Sequence, residues 1–275
     1  MDSQDFLQQY NSGRRNFSGL YLLDLNVSRR ILKNISLRGA TVNLASLEGI
    51  RFINSDLRSI FLKQSVLSFC EFINCDLSDA NLNQVKMMND IKFWNTDLSK
   101  ANLENSICFW NNIRIHEASL YKASLRKANI YSMYISHSNL RYVDLTDCHI
   151  KKLVVRSNDF ERAILRSVKF REVRGSNNFR FADLKNADMS YCNLQESNLF
   201  GANLQQTNLS YANLKGVDLT HAYLDRTNLV GANLKIARGL NMIKIKKVGN
   251  FGVKTTKIIE GASLGNTTLP DGTIH

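Results

Sequence analysis

Five cysteines, five histidines and 24 acidic residues are the side chains in this 275-residue chain that could do nucleophilic, metal-binding or acid–base chemistry. His116, His137, His149, His221 and His275 are scattered, with no i,i+4 pair and no HExxH arrangement to grip a metal from one face, so they read as solvated surface residues. Cys70, Cys75, Cys108, Cys148 and Cys192 form no CxxC pair, and their odd number argues against a disulfide framework. The nearest approach to a phosphate loop runs from Gly249 to Thr255, but Val253 separates Gly252 from Lys254 where a Walker loop needs Gly-Lys-Ser/Thr. The expectation is a protein with no catalytic residue, no metal ligand and no cofactor, hence not an enzyme.

What positions these residues is a repeat. An apolar residue recurs at every fifth position, from Phe17 to Met87, Phe93 to Ile113, Ile115 to Phe170 and Phe179 to Leu234. Two residues before each centre the side chain tends to be small, as at Ala182, Ala187, Ser197 and Ala202, and the residue between them is commonly Asn or Asp. A period of five fits neither the 3.6 of a helix nor the 2 of a strand. It fits a coil that turns a corner every five residues, with four corners to a square turn, the large apolar residue at its centre and the small one letting the wall approach. Asn and Asp suit the bend because their short side chains bond nearby backbone. All five cysteines fall on interior columns, where free thiols behave as small hydrophobes. The repeat also places nine of the acids in the Asn/Asp column, so their proximity across coils is no argument for a catalytic pair.

The frame slips near residues 88–92, 114–119 and 171–178. Extra residues in a coil must bulge outward, and the stretch from Arg171 to Asn178 is expected to be the largest bulge. Residues 1–14 read as an N-terminal cap, with a short helix from Asp2 to Tyr10 and Gly13 as its stop. Residues 15–235 form the repeat domain, and 236–275 an irregular basic segment and cap, in which the pattern returns weakly at Ala262-Ser263-Leu264 and Thr267-Thr268-Leu269.

Runs such as Ala202-Asn203-Leu204, Ala212-Asn213-Leu214 and Ala232-Asn233-Leu234 resemble the A(N/D)LXX motif of pentapeptide-repeat proteins. The resemblance covers roughly residues 15 to 235. It implies an all-β fold, the right-handed quadrilateral β-helix, with about eleven coils for the 44 centres of this sequence. The ending from Leu269 to His275, and the opening around Tyr10, Gly13, Arg15, Asn16 and Phe17, are similar to cyanobacterial members.

Net charge is +12, and Lys151 to Arg180 holds nine basic residues against three acids. Positions twenty apart share a face, so Tyr131, Lys151 and Arg171 should line one outward ladder. With Lys152, Arg156, Arg166 and Arg174 they form the candidate interaction surface. The excess charge serves either recognition or plain solubility. The leading expectation is a protein-interaction scaffold; the resemblance adds one concrete form, a regulator docking on a transcription factor. The alternative is binding of nucleic acid or an anionic membrane through the basic faces. DNA gyrase inhibition by an acidic DNA mimic, known in the family, is disfavoured by the sign of the charge. An open end coil could pair with its twin as a homodimer. With no basic-then-apolar leader and no apolar run of 18 residues, the expected address is cytoplasmic and no transmembrane segment is expected.

Overall fold

The computed structural model describes residues 1–22, 25–170, 172–240, 242–249, 252–259, 262–263, 268–269 and 273–274, with backbone alone at 109–111, 242–249, 252–259 and 262–263. The chain forms two compact units, Met1–Leu153 and Val154–His275.

The first unit opens with helix α1 (Ser3–Asn11), capped by Asp2, whose carboxylate accepts the Asp5 N–H at 2.9 Å. Phe6 is buried against Phe17, ring centroids 4.8 Å apart. Ser3 Oγ accepts the Asn26 N–H and the Tyr10 hydroxyl accepts the Lys33 N–H, both at 2.8 Å. The helix thus covers the core of the first coil and takes up donors that its open edge would leave unpaired.

Behind the cap the backbone returns to the same place about every twenty residues. Strands β1 (Asn26–Ser28), β2 (Ile31–Lys33), β3 (Ser46–Glu48), β4 (Arg51–Ile53), β5 (Val66–Ser68), β6 (Glu71–Ile73), β7 (Lys86–Met88) and β8 (Ile91–Trp94) make two parallel ladders. One aligns Val27, Leu47, Leu67 and Met87, the other Leu32, Phe52, Phe72 and Phe93. Longer strands β9 (Ile107–His116) and β10 (Asn129–Ser136) follow, and β11 (His149–Arg156) runs across the boundary between the units. The other two walls are stacked single bridges, such as Asn16, Ser36, Asp56, Asp76, Asp97, Ser119 and Asn139, seven levels in this unit. In the second unit Asp159, Asn178, Asn198, Asp218 and Arg238 give five levels. This count differs slightly from the eleven coils expected, because Arg238 adds a rung past Leu234, the last centre of the repeat.

The β-helix expected from the five-residue period is therefore present, and the corner explains the period. Many centre carbonyls accept the N–H three residues on, as Leu37 does from Ala40 at 2.9 Å. The second residue of each bend lies in the left-handed region, as at Ser59 (φ 52) and Asp79 (φ 56). The Asn or Asp before the centre accepts the N–H two residues on, as Asp76 does from Ser78 (2.9 Å) and Asn203 from Gln205 (3.1 Å). Several serines and threonines in the small column return their hydroxyls to buried carbonyls: Thr207 Oγ1 donates to Leu184 O at 2.8 Å.

The first two slips are extra residues: Asp97 lies twenty-one residues beyond its partner Asp76, and Ser119 twenty-two beyond Asp97. The third overturns the expected bulge. Asn178 pairs with Asp159, nineteen residues before it, so this coil is one residue short. The centre that the five-residue count missed is Val173, which is buried and pairs with Val155 between β11 and β12 (Glu172–Arg174).

Past β13 (Thr227–Asn228), the stretch read as irregular folds as an antiparallel hairpin of β14 (Met242–Gly249) and β15 (Gly252–Ile259). Gly249 pairs with Gly252, so the glycines of the stretch that falls short of a phosphate loop are the last paired residues of the hairpin. Strand β16 (Ala262–Ser263) then pairs with β13, and Thr268 accepts the Leu234 N–H at 2.7 Å while Leu269 is buried. Leu264, Thr267, Pro270 and His275 lie outside the described residues.

Coil stacking puts Phe52, Phe72 and Phe93 into one column, with centroids 5.4 and 5.0 Å apart and rings 10° from parallel. Phe72→Ala removes the middle ring, which has no exposed surface, and is expected to cost about 3–5 kcal/mol in urea unfolding. A loss below about 1 kcal/mol would mean that the column repacks around the gap.

Candidate binding surface

Of the residues expected to form a surface, Tyr131, Lys151 and Lys152 lie in the first unit. Lys151 Nζ sits 4.7 Å from the Tyr131 ring centroid and Lys152 Nζ 5.3 Å from that of Tyr134. The Tyr134 hydroxyl is held below the usual phenol range, first by its hydrogen bond to Lys152 and then by Ser132. The remaining positions belong to the second unit. Arg166 Nε meets Asp183 Oδ2 at 2.5 Å, so its charge is matched. Arg156 and Arg174 face each other across β11 and β12, and Arg174 pairs with Glu172. Arg171 lies outside the described residues.

The short coil lies here. Only two residues separate the centres Phe170 and Val173, against four between Met189 and Leu194 in the next coil. A cavity of about 540 Å³ is lined by Arg156, Glu172, Arg174 and Tyr191, among others. Its rim is tied down. Gly175, at φ +65, packs where a Cβ would stand 2.6 Å from Ser157 Oγ. Asn177, 2% exposed, donates Nδ2 to the carbonyls of Arg174 (3.1 Å) and Gly175 (2.9 Å), and its Oδ1 accepts the Asn158 N–H at 2.9 Å.

Aromatic side chains on the outer corners were not singled out by the sequence reading. In the second unit Phe181 and Phe200 meet edge to face at 5.4 Å, and Phe200 meets His221 at 5.2 Å. Arg162 lies 5.4 Å over Phe181, and Arg180 lies over both Phe181 (5.5 Å) and Phe200 (5.3 Å). Tyr191 stacks on Tyr211, centroids 5.1 Å apart and rings 11° from parallel. In the first unit Tyr121 and Tyr142 meet at 5.7 Å with Lys122 Nζ 5.1 Å from the former. The signal was available in the two positions after each centre.

Polar groups elsewhere are absorbed by the scaffold. Asp56 accepts the Arg58 guanidinium at 2.8 and 2.7 Å, a hydrogen bond that holds its carboxyl below the ordinary range. His116, read as a solvated residue, is instead part-buried, with Nδ1 2.8 Å from Ser136 Oγ and its ring edge to face with Trp94 and His137. Among the described residues no three His, Cys, Asp or Glu side chains group to hold a metal ion, and no helix is long and apolar enough to cross a membrane.

All five cysteines are buried thiols. Burial pushes the thiols of Cys70 and Cys75 up to about 11 and those of Cys148 and Cys192 up to about 12. Ellman's reagent at pH 8 should therefore titrate no thiol quickly in the folded protein and five in denaturant. Asn177→Ala is expected to lower stability by about 1–3 kcal/mol, since it leaves buried backbone groups unpaired, and to speed hydrogen exchange at the Asn158 amide; unchanged exchange there would show that the clamp is not needed.

Stacked coils, a five-residue period and centre, small and Asx columns define a β-solenoid repeat protein. Comparison of the sequence with protein families makes it specific: the Pentapeptide repeats family matches in eight copies, over residues 45–84, 178–210 and 197–235, and these stretches are pentapeptide repeats. No curated protein matches. Among solved structures, the chain is similar to HetL, a pentapeptide-repeat protein involved in regulating heterocyst differentiation in the cyanobacterium Nostoc sp., at 25% identity over 100% of both chains with a TM-score of 0.32. It is also similar to a trypsin-treated QnrB1, a plasmid-mediated fluoroquinolone resistance protein, at 16% identity over 92% of this chain and 93% of that one, TM-score 0.34. A third, Rfr23 from the cyanobacterium Cyanothece, is 26% identical over 50% of this chain and 58% of its own, TM-score 0.14.

Proposed function

We propose that the protein is a non-catalytic interaction module that holds a partner protein against its outer walls. The observation that carries this reading is the outer cluster of Arg162, Arg180, Phe181 and Phe200, in which guanidinium groups lie over the exposed ring of Phe181 and the half-buried ring of Phe200. Arginine and aromatic residues supply most of the energy in protein interfaces, because they bury large area with few rotamers and keep directed donors at the edge. The rings of Phe181 and Phe200 meet edge to face and carry arginines, which leaves little open ring for a base to stack on. A regulator docking on a transcription factor is one concrete form of this function, and it rests on the resemblance of the terminal residues alone.

A second reading, binding of nucleic acid or an anionic membrane, draws on the net charge of +12 and on Lys151 and Lys152 of the first unit. Affinity capture from the native host, with nuclease and at moderate salt, separates the two. A defined protein retained by the wild type and lost with the Arg180→Gln/Phe200→Ala double variant is the expected result. Recovery of nucleic acid alone, abolished by nuclease or by salt, would overturn the protein-partner reading in favour of the second.

A further inference from the structure

We infer that the hairpin of β14 and β15 is a nucleic-acid-binding ribbon that holds a duplex by its phosphates. It uses none of the residues on which the two functional readings rest, so it stands apart from both. From Lys235 to Ile259 the chain carries seven basic residues and no acid. Five of them, Lys244, Lys246, Lys247, Lys254 and Lys257, fall inside the two strands. Strands β14 and β15 pair with each other and with no third strand among the described residues, which makes the ribbon a two-stranded element of its own.

The register sets the lysines against each other. Lys244 stands directly opposite Lys257, and Lys247 directly opposite Lys254. Opposite positions in an antiparallel pair hold their Cβ atoms about 4.5–5.5 Å apart, and like charges set there destabilise the pairing. Lysines on an edge strand guard against association, but a lysine facing a neutral residue does that equally well, as Lys246 faces Thr255. Two opposed pairs in one short ribbon go beyond it. An anion held beside each pair relieves the repulsion, so the arrangement gains stability when a polyanion binds.

The placement also selects the polyanion. Successive residues of a strand fall on alternate faces, so pairs three positions apart lie on opposite ones. Lys244 and Lys257 share one face with Lys246, and Lys247 and Lys254 share the other. A ribbon lying on a lipid surface needs one apolar face, and here both faces carry a cation pair. A duplex presents phosphates on both sides of a groove, and the major groove of B-form DNA, about 12 Å wide, admits a two-stranded ribbon. The strands contain no Arg, Asn or Gln, the side chains that read base edges through paired hydrogen bonds. Their polar residues are lysine and threonine, which suit contact with phosphates.

The test titrates the full chain, over a series of salt concentrations, into a labelled DNA duplex of about 20 base pairs, an RNA duplex of the same length and phosphatidylserine vesicles. The expected result is binding of a duplex at low salt that weakens steeply as salt rises. Lys244→Gln/Lys257→Gln should make the slope of log K against log salt shallower by about 2 and weaken binding about tenfold or more. Lys244→Arg/Lys257→Arg, which keeps both charges, should bind as the wild type does, and thermal melts establish that each variant is folded. Binding of DNA, of RNA or of both supports the inference and tells which duplex the ribbon fits. Absence of duplex binding, binding of vesicles alone, or a salt slope that the glutamine variant leaves unchanged would overturn it. Loss of duplex binding with Lys151→Gln/Lys152→Gln and not with the hairpin variant would also overturn it, while leaving the second functional reading in place.

Discussion

Parallel stacking of backbone on backbone at about 4.8 Å is the constraint from which the other features descend. Because each coil repeats the one before it, every side chain has a counterpart directly beyond it, and like meets like. In the interior this is favourable without design: Phe52, Phe72 and Phe93 stack because they occupy one column. At the corner the same rule builds amide ladders, with Asn213 donating to Asn193 and Asn228 to Asn208, each at 3.1 Å. On the outside it juxtaposes side chains that have no need of each other for folding, and there the sequence is free to choose what the wall presents.

That freedom has a backbone cost. Every bend places one residue in the left-handed region, where glycine is at ease and a bulky side chain is strained. Yet Phe181, Tyr191 and Tyr211 occupy such positions, at φ 55, 59 and 58. Glycine appears one coil further on instead: Gly201 beyond Phe181 and Gly231 beyond Tyr211, where an added Cβ would collide with the ring at 2.6 and 2.4 Å. The arrangement lays each ring flat along the wall in place of letting it stand off into water. Accepting strain at one level and an empty side chain at the next to display an aromatic surface is what a recognition face requires and a merely soluble one does not.

The centres, the small column and the Asx bends were legible in the sequence because each depends on a single position in a fixed period. The features that depend on departures from it were not. Val173 was hidden because it follows Phe170 by three residues, and a break in a five-residue count looks the same whether residues are added or removed; only the pairing of Asp159 with Asn178 decides the sign. The aromatic pairs escaped for a related reason: Tyr121 and Phe200 stand one residue after their centres, Tyr142 and Phe181 two, so neither pair recurs at twenty although the rings touch. The hairpin of β14 and β15 lay where the count had ended. Of the candidate surface, the pairing of Tyr131 with Lys151 could be read from their twenty-residue spacing, whereas the match of Arg166 to Asp183 could not, since it joins different columns.

A perfectly regular wall would make a poor receptor. Moved along by one coil, it offers a partner nearly the same contacts, so affinity can accumulate while register stays undetermined, much as a strand without pattern slips against its neighbour. Discrimination has to come from positions that occur once. The short coil is one such position, because Asn178 lies nineteen residues beyond Asp159 where its later counterparts in this unit lie twenty apart. The arginine-covered Phe181 and Phe200 are another. The irregularities that obscure the repeat in the sequence are therefore the features able to give this scaffold an address, and the regular coils between them hold that address rigid.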